Sequence, residues 1–227
     1  MPIDVFNLIP KSIKEEGNYT FYIDGEVTEK IDWPLTNKAK VKCKITLRGK
    51  NLSGDKIVIE KTSDYSGKPA LILAIATDPS DGSQKGCEEC TLENITIESP
   101  EVLVAEITSN CTLNFKSGLI TTGDSTKAQT LIKVNGGTFN MSGGTISQVA
   151  NSNDSSVTAF GVDVVSGNFV MTGGAITDNF ANGLHIGNTA TAHIKGGAIK
   201  NTKDNSGVFV EGGTLYLEGG EISNIWR

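Results

Sequence analysis

The chain has 227 residues, a net charge of −6, 26 glycines and only 6 prolines. The acidic balance, with no cluster of basic residues, excludes a phosphate-binding surface, so nucleic acid is not an expected partner. No apolar run approaches the ~20 residues that span a bilayer, and Asn, Ser and Thr crowd between short apolar runs, as in chains built of many strands and turns.

The start, Met1-Pro2-Ile3-Asp4, carries no signal-peptide apolar core. Residues 4–16 place apolar side chains at 5, 6, 8, 9 and 13, with Gly17 and Asn18 as a stop. This spacing predicts a short amphipathic helix that starts or kinks at Pro10. Residues 1–18 are therefore expected to cap a β domain that occupies 19–227. Tyr19 to Asp24 alternates like a first strand, and Val41, Cys43, Ile45 and Leu47 share one face of a second. Ile57 to Ile59 and Ala70 to Ile75 read as further strands, residues 77–86 as a long polar loop, and Cys90 to Ile97 as strand again.

The four cysteines are Cys43, Cys87, Cys90 and Cys111. Cys87 and Cys90 have the spacing of half a zinc site, but no second pair follows and both histidines are far away in sequence, so no metal is expected. Cys43, Cys90 and Cys111 fall on the inward parity of strands and read as small core residues. Cys87 reads as a loop residue, able to pair with Cys90 in an oxidising compartment.

The last third repeats a phrase of the form apolar, polar, Gly, Gly, variable, Ile. It occurs at Met141 to Ile146, Met171 to Ile176, Ile194 to Ile199 and Leu217 to Ile222, at steps of 30, 23 and 23 residues. A recurring unit of about this size with period-two alternation is one coil of a solenoid. Leu92 to Ile97 and Phe115 to Ile120 fit the same slot, and Leu47 begins a looser copy. The step of 45 from Leu47 to Leu92 reads as one extra coil without a recognisable phrase, giving about eight coils. Three strands can be read within a coil, as in Gly207 to Val210, Thr214 to Leu217 and Glu221 to Ser223. The Gly-Gly pair turns the corner between the second and third strands, where positive φ favours Gly. Asp178, Asn201 and Asn224 sit two residues after the recurring Ile, at another corner that tolerates left-handed geometry. Insertions gather at 122–129, 148–160 and 201–206.

The three-strand coil, with Ile45 to Gly49, Leu92 to Ile97 and the Gly-Gly-Ala-Ile phrases, resembles the right-handed parallel β-helix of the pectin-lyase-like superfamily. Gly-Gly-Ala-Ile at 173–176 and 196–199 also resembles repeats of bacterial cell-surface and autotransporter-type adhesins. The resemblance covers roughly residues 19–227. It implies an all-β, right-handed solenoid that serves enzymes, adhesins or structural stalks.

Identical slots stack into columns. Phe115, Met141, Met171, Ile194 and Leu217 should form one inward column. Ile97, Ile120, Ile146, Ile176, Ile199 and Ile222 should form another. If Val134, Val164, Ile186 and Val210 also point inward, then Glu106, Lys133, Asp163, His185 and Phe209 form an outward column, successive members about 4.8 Å apart. In β-helix enzymes this outer first-strand face usually carries the chemistry. Asp163 beside His185 is the candidate acid/base pair, and Glu106, Lys133 and Phe209 are candidate ligand contacts. The alternative is a solvated column of mixed charge.

The lyase-like pattern of several Asp plus an Arg base is missing, as is the Gly-His-Gly of polygalacturonase-like enzymes, since His185 lies in Gly183-Leu-His-Ile186. His193 reads as a merely solvated residue on the outer second strand. The expected role is thus a non-catalytic secreted or cell-surface module that acts as an adhesion or scaffold surface or binds a host or bacterial surface glycan or protein, without a cofactor. A polysaccharide lyase or hydrolase, with its groove walled by 76–89 and 148–160, is the alternative. Only five residues follow Ile222, so further coils or self-association are expected to cover the last sheet edge.

Overall fold

The computed structural model describes residues 13–31, 41–51, 54–61, 63, 67, 69–123, 129–148, 159–178, 182–200 and 206–223. Alternating inward residues build an all-β parallel solenoid. Its strands lie in one twelve-stranded and one eight-stranded sheet. Every inter-turn ladder is parallel, and the only antiparallel pairing among the described residues joins Ile75–Thr77 to Gln84–Glu93. The polar loop expected over 77–86 is therefore largely a hairpin. Its turn is held by Asp78 and Asp81, which accept from the backbone amides of Ser80 at 2.9 Å and Ser83 at 2.8 Å.

The first and second strands of a coil are not separate elements in the regular turns. They run on as the single strands Ile132–Met141, Phe160–Met171 and Asn182–Ile194. Register shifts at Val134/Asn135 and Val164/Ser166 bend them. A bulge turns a strand without ending it, which is why three predicted strands per coil give two sheets.

The turns number about six instead of eight. The first-strand positions stack in six layers, beginning at Leu71–Leu73 and ending at Val208–Val210. The second- and third-strand positions reach two layers further, to Gly17–Ile23 and Glu26–Ile31. No hidden coil occupies the 45-residue step, because Leu47 and Leu92 are direct register partners. The extra layer lies before Leu47, where Phe21 pairs with it. The long step is an insertion inside one turn. Length cannot set its register, but side chains can. Lys44 meets Glu89 and Arg48 meets Glu93 at 2.8 Å, each pair between register partners. These exposed pairs contribute little stability. The buried alternation of Ile45 and Leu47 against Cys90 and Leu92 is the stronger constraint.

The expected helical cap falls mainly outside the described residues. Its described part, residues 13–16, is not helical, and strand begins at Gly17. Ile13 is nonetheless buried in the core. Cys87 is also not a loop residue: it lies buried in Gln84–Glu93, in register with Cys43.

Both inward columns form as expected. Phe115, Met141, Met171 and Ile194 are consecutive partners and wholly buried, and Leu217 continues the register. Ile97, Ile120, Ile146, Ile176, Ile199 and Ile222 are stacked likewise. Beside the first column Phe139 stacks on Phe169 at 5.4 Å. The Gly-Gly corner uses its two glycines differently. A Cβ on Gly173 would stand 2.5 Å from the carbonyl oxygen of Ser142 in the preceding turn, whereas Gly174 takes φ +86°. The first is a requirement of close stacking, the second of backbone conformation. Asp178, at φ +53°, makes the other expected left-handed corner; Asn201 and Asn224 lie outside the described residues.

Column position decides the energetic weight of a residue. Ile194 is fully buried, while Leu217, one turn on, is 58% exposed. Ile194→Ala is expected to cost about 2–4 kcal/mol through lost burial and a cavity. Leu217→Ala is expected to cost under about 1 kcal/mol. Urea unfolding of the two variants, compared with the parent chain, measures the difference.

Candidate functional site

The outward column exists in the order expected. Glu106 pairs with Lys133, Lys133 with Asp163, Asp163 with His185, and His185 with Phe209. Lys133, Asp163 and His185 are placed by the buried neighbours beside them: Val134, Val164 and Ile186 point inward and are wholly buried, whereas Val210, expected inward beside Phe209, is 41% exposed at the last turn. Strict alternation then sends the column outward.

The column is not equally knit along its length. Its C-terminal half closes into a cluster. His185 Nδ1 lies 2.7 Å from Asp163 Oδ1, and His185 Nε2 lies 3.6 Å from Glu211 Oε2. The imidazole is stacked between Phe160, at 4.6 Å between ring centroids, and Phe209, at 5.4 Å, with interplanar angles of 19° and 18°. The side chains of His185 and Asp163 are 12% and 15% exposed, whereas Glu211 is 54% exposed. The ring is thus held on both faces by aromatic contact and at Nδ1 by the Asp163 carboxylate, with Glu211 near Nε2 but beyond hydrogen-bond distance. The N-terminal half behaves differently. Glu106 Oε1 accepts from Asn135 Nδ2 at 3.2 Å, and Lys133 stands between Glu106 and Asp163 in the register. Glu106 and Lys133 share the column with the cluster, but neither touches the imidazole.

Phe160 and Glu211 are missing from the sequence-derived site. Glu211 has the same parity as Phe209, two residues on, and was in principle findable from alternation. Phe160 comes three residues before Asp163 and gives no parity signal. It opens the same strand in the same register, paired with Asn182, and its ring reaches along the strand to stack on His185 of the next turn.

A second cluster lies on the outer face of the second-strand positions. His193, expected to be merely solvated, stacks on Tyr216 at 4.5 Å and 12°. Its Nδ1 is 2.7 Å from Glu218 Oε1, and Lys195 Nζ is 3.8 Å from Glu218 Oε2. Partners one turn away in register explain it: His193 sits beside Tyr216, and Ile194 beside Leu217, which precedes Glu218.

The groove walls expected from 76–89 and 148–160 are only partly accounted for. The former is the hairpin and the start of the strand that follows it; residues 149–158 of the latter lie outside the described residues. A small cavity does occur elsewhere, at an N-terminal corner lined by Asn51, Asp55, Asn94 and Gly118 among others. Asp55 is there a structural residue. Its carboxylate accepts from the backbone amides of Asn51 and Gly25, which hold it below the usual carboxylate range. Among the described residues, no group of three His, Cys, Asp or Glu side chains is placed to hold a metal ion, and no helix is long and apolar enough to cross a membrane.

Glu218 lies below the ordinary glutamate range because His193 hydrogen-bonds to it. A depressed folded-state value stabilises above the unfolded value, and that contribution is lost as pH falls through the depressed one. His193→Phe should therefore raise the Glu218 midpoint toward the ordinary range. Carboxyl 13C chemical shifts across an acid titration measure it, and an unchanged midpoint would refute the pairing.

No family model, no curated protein and no solved structure matches the chain.

Proposed function

We propose that the chain is a non-catalytic β-helix module, secreted or displayed at a cell surface, that uses its outer first-strand face to bind a glycan. The observation that carries this reading is the Phe160–His185–Phe209 stack flanked by Asp163 and Glu211. Phe209 is 44% exposed. An aromatic side chain offers the apolar C–H positions of a sugar a contact surface, and carboxylates accept hydrogen bonds from its hydroxyls. The ring and the acids stand within three successive rungs of a rigid sheet, so little conformational entropy is lost on binding. Asp163 and Glu211 are the polar contacts of this site, Phe209 its exposed apolar contact, and Phe160 and His185 its support. Lys133 and Glu106 extend it along the same column, two rungs toward the N-terminal end. The likeness of the Gly-Gly-Ala-Ile coils to pectin-lyase-like solenoids and adhesin-type repeats supports the same reading at the level of fold alone.

The second reading is a polysaccharide lyase or hydrolase. The 2.7 Å contact between Asp163 and His185 favours it, since a carboxylate that orients an imidazole is a common base arrangement. Against it stands Glu211, which faces the nitrogen that a substrate proton would have to reach.

Binding should be measured against a panel of neutral and acidic glycans. Phe209→Ala is expected to weaken binding of the best ligand about tenfold, the magnitude of one lost aromatic contact, and Asp163→Ala to weaken it further, with the β-sheet circular dichroism of both variants unchanged. No binding to any glycan, or binding indifferent to both substitutions, would remove the proposal. New reducing ends or unsaturated products that disappear in His185→Ala would establish the enzyme reading in its place.

A further inference from the structure

The cysteines form a cluster at the longest step of the solenoid. Cys43 and Cys87 are direct partners on adjacent parallel strands, and the register shifts immediately after them, between Cys43 and Lys44. Neighbouring strands lie about 4.8 Å apart, inside the Cα–Cα range that a disulfide spans. Both side chains are buried, at 2% and 1% exposure, on the same inward face. Both thiols are free. Cys43 Sγ is 3.6 Å from the carbonyl oxygen of Gly86, the residue before Cys87. The Cys87 thiol donates to the carbonyl oxygen of Glu89 at 3.2 Å, and its hydrogen-bonding proximity to Cys43 holds the Cys43 thiol below the ordinary value. The same proximity, with burial, pushes Cys87 well above it. The two thiols thus face each other from register-paired, buried positions, and Cys43 is the one more readily ionised.

The other two cysteines are placed differently. Cys90 pairs with Ile45, not with Cys43, and burial pushes its thiol up to about 12. Cys111 is raised as well, chiefly by burial, and sits in the turn before Thr112–Phe115.

We propose that Cys43 and Cys87 are a disulfide-forming pair that cross-links two consecutive turns when the chain folds in the presence of an oxidised small-molecule disulfide. The Cys43 thiolate attacks one sulfur of the oxidant, forming a mixed disulfide and releasing one thiol. The Cys87 thiolate then attacks Cys43 Sγ, forms the Cys43–Cys87 bond and releases the second thiol. Two cysteine thiols are oxidised, one oxidant disulfide is reduced to two thiols, and both cysteine protons pass to the leaving thiolates. The link joins the two sides of the 45-residue step, where loop closure is entropically most expensive. The pairing across turns replaces the Cys87–Cys90 pairing suggested by their proximity in sequence.

The test is to unfold the reduced protein, refold it in a buffer of oxidised and reduced glutathione, block free thiols and map the peptides by mass spectrometry. The expected result is one cross-linked peptide pair containing Cys43 and Cys87, with Cys90 and Cys111 blocked only after denaturation. The oxidised protein should melt about 5–10 °C above the same protein reduced with dithiothreitol. Because this comparison uses the unsubstituted chain, it does not depend on any variant folding. Cys90→Ala should keep both the cross-link and the shift. Recovery of all four cysteines as free thiols, a Cys87–Cys90 link, or loss of the link in Cys90→Ala would each overturn the proposal.

Discussion

The structure depends on one constraint: the parallel register that stacks each turn on the last. A parallel ladder commits every residue to a partner one turn away, and a slip of one residue would turn each inward side chain to solvent. The wholly buried Phe115, Met141, Met171 and Ile194 make that slip costly. Backbone bonds such as Thr172 N to Met141 O at 2.9 Å and Lys195 N to Met171 O at 2.8 Å carry the ladder through the Gly-Gly corners. The corner glycines follow from this constraint. Adjacent turns approach so closely that a Cβ on Gly173 would overlap the backbone of the turn below.

The same register creates the surface chemistry. Alternation that buries Val164 and Ile186 aligns Asp163 and His185 on the outside. The alternation around Ala192 and Ile194 exposes His193 beside Tyr216. Both histidines therefore meet an aromatic ring and a carboxylate from the next turn. A solenoid repeats outward slots at fixed spacing, so a pair of complementary residues in successive turns will meet without any special loop. This regularity also limits what such contacts imply. A His–carboxylate pair arises in a ladder as readily for cohesion as for catalysis.

The N-terminal turns are held by a more varied set of interactions. Their step lengths are irregular, and the charged pairs Lys42–Glu88, Lys44–Glu89 and Arg48–Glu93 line up across the longest of them. Asp55 and Asn94 brace the adjoining corner through main-chain contacts, Asn94 reaching the carbonyl oxygen of Asn51 at 2.7 Å. The cysteine cluster lies in the same region. Where repetition weakens, the buried alternation of Ile45 and Leu47 against Cys90 and Leu92 still sets the register, and these polar contacts line its outer side.

Sequence alone determined the parallel solenoid, the two inward columns and the outward order Glu106, Lys133, Asp163, His185, Phe209. All follow from period-two alternation combined with a recurring phrase, and both are local properties of the chain. Tertiary structure decided what depends on the path between phrases. Leu47 lies against Leu92 although 45 residues separate them, because the intervening chain is an excursion within one turn. A spacing rule reads such a gap as a missing coil. Phe160 joins the His185 cluster through side-chain reach, which alternation does not encode. The path between phrases also brings Cys87 to face Cys43. A bulge and a long insertion place it in a buried strand beside a residue 44 positions earlier, and no local pattern carries that adjacency.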